Sequence, residues 1–135
     1  MELLGNDPTT YYMSQHFGTA TNHGMYSWQY TGPDFSADFH TFAIEWQPGV
    51  IRWLLDGQVL TTSTSNVPDV PMYLILNTAV GGTWPGNPDG TTVFPQYHDI
   101  DYVRVYRDAT PSTAARLVRS STSARERPIA RVLRS

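Results

Sequence analysis

Residues 51–62 of the chain read IRWLLDGQVLTT, two short apolar runs separated by Asp56-Gly57. Both members of an Asp-Gly pair tolerate a positive φ, which a tight turn between two antiparallel strands requires. The stretch therefore predicts a β-hairpin with strands over residues 51–55 and 58–62.

The rest of residues 1–107 has the same character. Gly, Pro, Asn and Asp interrupt short apolar runs, and no window keeps apolar residues at helical spacing, so we expect an all-β fold. The run at 72–77 is almost continuously apolar, and we expect it to lie centrally with both faces covered. Residues 81–90 are so rich in Gly and Pro that they are expected to form a loop. Further strands are predicted over residues 10–17, 25–30, 39–46, 72–78 and 100–106.

The chain of 135 residues is long enough for one domain. Its net charge of −3 is unevenly divided: residues 1–107 hold ten acidic residues against three arginines, and residues 108–135 hold two against six. Ala, Ser, Thr and Arg dominate the second part, which cannot bury enough surface to offset its ordering entropy. We predict a domain over 1–107 and a disordered tail over 108–135. An alternative gives this basic tail a function of its own, the binding of acidic polymers.

Several classes of protein are disfavoured by the composition. The chain has no cysteine, which excludes disulfides, thiolate metal sites and thiol catalysis. No apolar run approaches the roughly 20 residues that span a bilayer. The N-terminus lacks the basic and apolar segments of a signal peptide. We expect neither a membrane nor a nucleic acid as partner, and we expect a monomer.

Four stretches carry a family resemblance: FHTFAIEW at residues 39–46, IRW at 51–53, LNTAVGGTWPG at 76–86 and IDYVRVY at 100–106. In this order they closely resemble the C-terminal half of glycoside hydrolase family 16, in particular its laminarinase-like endo-β-1,3-glucanases. The resemblance covers residues 1–107 and leaves the tail unmatched. It implies a β-jelly-roll sandwich of the concanavalin A-like kind, incomplete in this chain, with a substrate groove across one concave sheet.

The resemblance also implies a catalytic residue. The family signature reads Glu-x-Asp-x-x-Glu, and Met1-Glu2 matches its last two positions. Glu2 would then be the acid/base carboxyl, while the nucleophile and the middle Asp would precede residue 1. A retaining glycosidase needs two carboxyl groups about 5–5.5 Å apart, one attacking the anomeric carbon and one protonating the leaving oxygen. We therefore expect negligible hydrolase activity from the 135 residues as given. The alternative for Glu2 is a solvated carboxylate at a frayed end.

Four residues are predicted to contact the glucan. By the resemblance, His16 aligns with a histidine that lines the groove, although a structural role in its strand is the alternative. Trp46 and Trp84 offer aromatic faces for the C–H faces of pyranose rings, and Trp46 has a place in the core as its alternative. Asn77, a polar residue in an apolar run, either bonds backbone at a bulge or faces the groove.

The other tryptophans are expected to be structural or to extend the groove. Trp53 is expected in the core or in the opposite sheet. Trp28 and Tyr30 lie two residues apart in their predicted strand, so they share one face, which belongs either to the core or to the groove.

The chemistry requires no cofactor, but the resemblance implies a structural Ca²⁺ in the full-length family member. Asp101 matches a residue that helps to bind this ion. Calcium takes six to eight oxygen ligands, so Asp101 cannot form the site alone.

The resemblance thus implies the hydrolysis of O-glycosidic bonds in β-glucans by a retaining endo-β-1,3- or 1,3-1,4-glucanase. The intact parent protein would be secreted, with its signal upstream of the residues given, and its partner would be a β-glucan polysaccharide. The alternative is a non-catalytic β-glucan-binding module. Codons for Glu-x-Asp-x in frame immediately upstream of Met1 would favour the enzyme. A stop codon and a ribosome-binding site there would favour the module.

Overall fold

A computed structural model describes residues 1–106, which form six β-strands in two three-stranded antiparallel sheets. The first sheet has the order β1-β2-β3 and the second the order β4-β5-β6. The prediction of an all-β fold is confirmed, and two sheets that share one core fit a jelly-roll sandwich. The predicted tail lies outside the described residues. The strands are β1 Glu2–Leu4, β2 Asp7–Thr19, β3 Asn22–Thr31, β4 Phe42–Gln47, β5 Val50–Leu55 and β6 Gln58–Ser63.

The hairpin of β5 and β6 forms as its sequence predicts. Leu55 pairs with Gln58, and the two residues between them, Asp56 and Gly57, have φ values of 49° and 82°. The Asp56 carboxylate also accepts a 2.8 Å hydrogen bond from the Thr41 amide and lies 2.8 Å from His40 Nδ1. The turn is thereby tied to the residues that lead into β4.

A second hairpin joins β2 and β3 and runs from the pair Thr10↔Thr31 to the pair Thr19↔Asn22 without a register shift. Both strands are longer than predicted and include residues 10–17 and 25–30. Gly18 has a φ of 91°, and a Cβ there would collide with the carbonyl oxygen of Asn22. Glycine at this position allows the two strands to close.

The core lies between the two sheets. Tyr11 and Met13 of β2 meet Trp53 of β5, and each of these side chains is 1–2% exposed. Alternation along the strands explains this selection, because every second side chain of β2 and of β5 points toward the facing sheet. The buried cluster consists of Tyr11, Met13, Phe35, Phe42, Ile51, Trp53 and Leu55.

The open question about Trp28 and Tyr30 is settled in favour of the core face. Trp28 packs on Trp53 with ring centroids 5.1 Å apart, and Tyr30 is the register partner of buried Tyr11. Residues directly opposite each other on antiparallel strands project from the same face. Neither aromatic ring therefore extends a groove on the outward face of this sheet.

The strand predictions for two segments are wrong. Residues 72–78 and 100–106 are not part of either sheet, and only an isolated bridge at Tyr102 is formed there. Tyr73 is 85% exposed and Ile75 is 62% exposed, although both were expected to be covered. Apolar composition favours burial, but a central strand also needs a paired strand on each side. The six strands of residues 2–63 pair only with one another.

Among residues 1–106 there is no helix with the length and apolar character needed to cross a membrane.

Candidate functional site

The outward face of the first sheet collects several of the predicted site residues. Glu2 lies opposite Tyr12 in the register of β1 and β2, so both side chains project from the same face. That face is turned away from the core, because the neighbouring residues Tyr11 and Met13 point inward. His16 follows Tyr12 by four residues on the same strand and shares its face. Glu2 and His16 are both exposed.

Trp84 reaches this outward face from the loop at residues 81–90. Its ring meets the ring of Tyr12 in an edge-to-face contact, with centroids 4.8 Å apart. The side-chain amide of Asn6 donates a 2.9 Å hydrogen bond to the carbonyl of Pro85 and so attaches the loop to the turn between β1 and β2. Trp84 remains 52% exposed, which leaves ring surface for a ligand. The prediction of a loop at 81–90 is confirmed.

Asp7 fixes the other end of the Tyr12 side chain. The Tyr12 hydroxyl donates a 2.9 Å hydrogen bond to the Asp7 carboxylate, which also accepts hydrogen bonds from the hydroxyls of Thr10 at 3.0 Å and Thr9 at 3.3 Å. These donors, Thr10 first and then Tyr12, lower the pKa of Asp7. The same carboxylate raises the pKa of Tyr12. Asp7 is therefore an anion that holds a neutral phenol in place.

The sequence interpretation missed Asp7 and Tyr12. Both carry polar groups on the face that Glu2 occupies, and Tyr12 is the residue that links Glu2, Trp84 and Asp7. Alternation in the predicted strand 10–17 already places Tyr12 on the same face as His16. The spacing of an Asp followed by two threonines and a tyrosine was a second available signal.

Trp46 lies in the other sheet. It pairs with Ile51, whose side chain is part of the core, so Trp46 projects from the face of its sheet that is turned toward the core. Its indole N–H donates a 2.9 Å hydrogen bond to the carbonyl of Pro68, and the side chain is 42% exposed. The structure thus places Trp46 apart from the face of Glu2 and Trp84. Its contact with glucan stays a prediction.

Asn77 is exposed, in the segment that was expected to be a central strand. The reason for singling it out was the cost of burying an unpaired amide, and that reason fails because the segment is not buried. The neighbouring Thr78 hydroxyl lies 2.9 Å from Nδ1 of His98. A role for Asn77 in binding glucan stays a prediction.

Asp101 is also exposed. Residues 1–106 contain no group of three or more His, Cys, Asp or Glu side chains placed to hold a metal ion. The described part of the chain therefore does not fit a calcium site by itself, because calcium needs six to eight oxygens. The assignment of Asp101 as one ligand stays a prediction.

The outward face offers two kinds of chemistry. Glu2 supplies a carboxyl group that is able to donate or accept a proton, and Trp84 with Tyr12 supplies aromatic surface next to it. A retaining glycosidase also requires a nucleophilic carboxylate about 5–5.5 Å from the acid/base. The pattern Glu-x-Asp-x-x-Glu does not occur in the 135 residues, so only Glu2 of the three signature carboxylates has a match.

Comparison with known proteins identifies the family. Residues 1–104 match the sequence model described as Glycosyl hydrolases family 16. A Beta-glucanase of Paenibacillus polymyxa is 33% identical over 107 residues, which cover 77% of this chain and 43% of the relative. A Beta-glucanase of Rhodothermus marinus is 40% identical over 88 residues, covering 56% of this chain and 31% of the relative.

A third relative is the Glucan endo-1,3-beta-glucosidase A1 of Niallia circulans, which is 32% identical over 128 residues, covering 80% of this chain and 18% of the relative. The chain thus spans less than half the length of these curated relatives. No solved structure matches the chain.

Proposed function

Because the chain belongs to glycosyl hydrolases family 16, we propose that it takes part in the hydrolysis of O-glycosidic bonds in β-glucans. In this proposal the outward face of the first sheet forms one wall of the glucan groove. Glu2 acts as the acid/base: it protonates the leaving glycosidic oxygen and then takes a proton from the attacking water. The observation that carries the proposal is the placement of Glu2, Tyr12 and Trp84 on one outward face.

Trp84 is the proposed sugar platform. The C–H face of a pyranose ring is apolar and packs against an aromatic ring, while polar groups at the rim bond the hydroxyls. Trp84 packs edge-to-face against Tyr12 and keeps about half of its surface open, as 52% is exposed. His16 lies further along the same face, where we propose that it contacts a neighbouring sugar. The name of the Niallia circulans relative, a glucan endo-1,3-beta-glucosidase, supports a β-1,3-linked glucan as substrate.

Binding is tested with the purified 135-residue chain. We expect it to bind laminarin and barley β-glucan in isothermal titration calorimetry. We expect Trp84→Ala to weaken binding about three- to tenfold, which corresponds to the free energy of one aromatic contact. The matched control is Tyr73→Ala, which removes an aromatic side chain that is 85% exposed on another part of the surface. A folded chain without affinity for either glucan would overturn the proposed substrate.

The acid/base role of Glu2 is tested without a nucleophile. An α-laminaribiosyl fluoride mimics the glycosyl-enzyme intermediate of a retaining enzyme, so an acceptor hydroxyl attacks its C1, fluoride leaves, and the general base takes the hydroxyl proton. We expect a β-linked condensation product with a glucoside acceptor and its loss in Glu2→Gln. A product of equal yield in Glu2→Gln would contradict this role. Binding without condensation would instead favour a glucan-binding module.

Laminarin itself should release negligible reducing sugar when incubated with the 135-residue chain alone, since one signature carboxylate of three is matched.

We also propose that the protein acts as a monomer outside the cell, where its polysaccharide substrate is found. Size-exclusion chromatography with light scattering checks the oligomeric state.

A further inference from the structure

Two histidines are in direct contact on the outward face of the hairpin formed by β2 and β3. Nδ1 of His16 lies 2.9 Å from Nε2 of His23, and the rings stack with centroids 5.1 Å apart and an interplanar angle of 29°. His23 pairs with Gly18, which follows His16 by two residues, so the two imidazoles are diagonal neighbours on one face. The proposed glucan chemistry does not use this contact between the two rings.

The distance between the two nitrogens suits a shared metal ion. Imidazole nitrogens bind Zn²⁺ at about 2.0–2.1 Å. Two such bonds at a right angle put the nitrogens about 2.9 Å apart, and two bonds at the tetrahedral angle put them about 3.3 Å apart. The observed separation of 2.9 Å falls at the lower end of this range. In the hydrogen bond the two nitrogens face each other, so each ring must turn by about 45° to direct its lone pair at a shared ion.

Protonation does not obstruct this arrangement. In the hydrogen bond between the rings, one of the two contacting nitrogens carries the hydrogen and the other accepts it. A neutral imidazole carries its hydrogen on either ring nitrogen, so a change of tautomer in the donor ring frees both contacting nitrogens. Coordination through both rings in their neutral form therefore requires a change of tautomer but no release of a proton.

The regular backbone of the hairpin and the net negative charge of residues 1–106 favour a cation. Both histidines lie on strands whose register runs unbroken from Thr10↔Thr31 to Thr19↔Asn22. Little backbone conformational freedom is therefore lost when an ion is bound. Both are exposed, which leaves the other coordination positions of the ion open to water. Residues 1–106 hold ten acidic residues against two arginines, and this excess of negative charge attracts cations.

We propose that His16 and His23 form a two-histidine chelate for a first-row transition-metal ion. Affinity should rise in the order Co²⁺, Ni²⁺, Cu²⁺, as it does for nitrogen ligands in general, with Zn²⁺ below Cu²⁺. Among the described residues no third His, Cys, Asp or Glu completes a closed metal cluster. The site is therefore an exchangeable surface site on the hairpin rather than a structural metal centre. It stands independently of the glucan-binding proposal.

The experiment titrates the full 135-residue chain, free of any affinity tag, with Zn²⁺ and with Cu²⁺ in a non-coordinating buffer. We expect His23→Ala and His16→Ala each to weaken binding at least about tenfold, because each removes half of the chelate. His98→Ala is the matched control, since His98 contacts the Thr78 hydroxyl rather than a second histidine. This variant should keep the dissociation constant for the metal ion within about twofold of the wild-type value, far less than the tenfold change expected for the other two variants.

The electron paramagnetic resonance spectrum of bound Cu²⁺ gives a second readout. Wild-type protein should show coupling to two imidazole nitrogens, and His23→Asn, which keeps a polar side chain at the same exposed position, should show coupling to one. Circular dichroism checks that each variant keeps its sheets. Unchanged affinity in His23→Ala, or an equal loss in His98→Ala, would overturn the proposal. Two-nitrogen coupling that persists in His23→Asn would do the same.

Discussion

The Tyr12 hydroxyl lies 2.9 Å from the Asp7 carboxylate and donates a hydrogen bond to it. The hydroxyls of Thr10 and Thr9 share this carboxylate, and the three donors lower the pKa of Asp7 in the order Thr10, Tyr12, Thr9. One anion thus organises the start of β2 and the side chain that supports Trp84. Removing a single donor should shift the pKa of Asp7 without abolishing the cluster.

We expect the pKa of Asp7 to rise toward its ordinary value, about 3.9, in Thr10→Val, less in Tyr12→Phe and least in Thr9→Val. Because the folded pKa is depressed, the stabilisation by Asp7 is complete above the unfolded value. It is lost as the pH falls through the folded pKa. Nuclear magnetic resonance titration of the Asp7 carboxyl measures the order directly. Identical pKa values in all three variants would contradict the assigned donors.

Two buried polar side chains should respond to truncation in opposite ways. The Tyr11 hydroxyl is buried and has no hydrogen-bond partner among the described residues, and burial raises the pKa of this phenol. Tyr11→Phe removes an unpaired group, so the free energy of unfolding should stay constant or rise by up to about 1 kcal/mol.

Gln15→Leu is the contrasting variant. The Gln15 amide donates 2.8 Å hydrogen bonds to the carbonyls of Ser65 and Asn66, and both acceptors would lose this donor, although Ser65 keeps a 3.4 Å hydrogen bond from the Ser63 hydroxyl. We expect the free energy of unfolding to fall by about 1–3 kcal/mol. Urea denaturation followed by tryptophan fluorescence compares the two variants. A larger loss in Tyr11→Phe than in Gln15→Leu would show that the phenol is bonded after all.

Gly57→Ala should destabilise the hairpin of β5 and β6 through the backbone alone. Gly57 has a φ of 82°, and an added Cβ would meet no atom within 4 Å, so the cost comes only from the left-handed conformation. That cost is about 1–2 kcal/mol. Gly5→Ala is the control, because Gly5 also has open space around it but no positive φ. Thermal unfolding of both variants should show a loss only at Gly57.

Truncation of the core should be far more costly than truncation of the surface of the neighbouring strand. Leu55 is 7% exposed and belongs to the buried cluster, so Leu55→Ala should lower the free energy of unfolding by about 2–5 kcal/mol. Val59 on β6 is 50% exposed, and Val59→Ala should change it by no more than about 0.5 kcal/mol. Similar losses at the two positions would mean that the two sheets do not share the core described above.

Asn6 should affect glucan binding without contacting the sugar. Its amide holds the carbonyl of Pro85 next to Trp84, so Asn6→Ala should loosen the loop and weaken laminarin binding about two- to fivefold, the value of one hydrogen bond. The near-isosteric Asn6→Asp, which lacks the N–H donor, should have a similar effect. Full affinity in both variants would show that the loop is fixed by other contacts.

The hairpin of β5 and β6 was predicted from the sequence because its cause is local. Asp56-Gly57 specifies its turn with two adjacent residues, and alternation in β2 selects Tyr11 and Met13 for the core. The face of Trp28 could not be predicted in the same way, because it depends on Trp53 in the opposite sheet. The strand prediction for residues 72–78 was wrong for a related reason. Apolar composition favours burial, but a central strand also depends on neighbouring strands, which this segment's own sequence does not determine.

The candidate site was predicted in part. Motif resemblance singled out Glu2 and His16, and the aromatic ring singled out Trp84. The structure places these residues on one face or against it, whereas neither signal indicated Tyr12 and Asp7. Those two residues are linked by a hydrogen bond within β2, and the register of β1 with β2, with its shift between Leu3 and Leu4, brings Glu2 opposite Tyr12. A bulge of this kind has no reliable signature in one sequence.

The exposed run at residues 72–76 bears on how the protein behaves at high concentration. It reads MYLIL, five residues without charge, Pro or Gly, which is the composition that stacks into cross-β fibrils. Charged residues and prolines beside such a run act as gatekeepers against stacking. Asp69 and Pro71 stand on the upstream side, whereas downstream the first proline is Pro85 and the first charge is Asp89. A fibril formed by this protein should therefore have an ordered core that begins at Met72 and extends downstream.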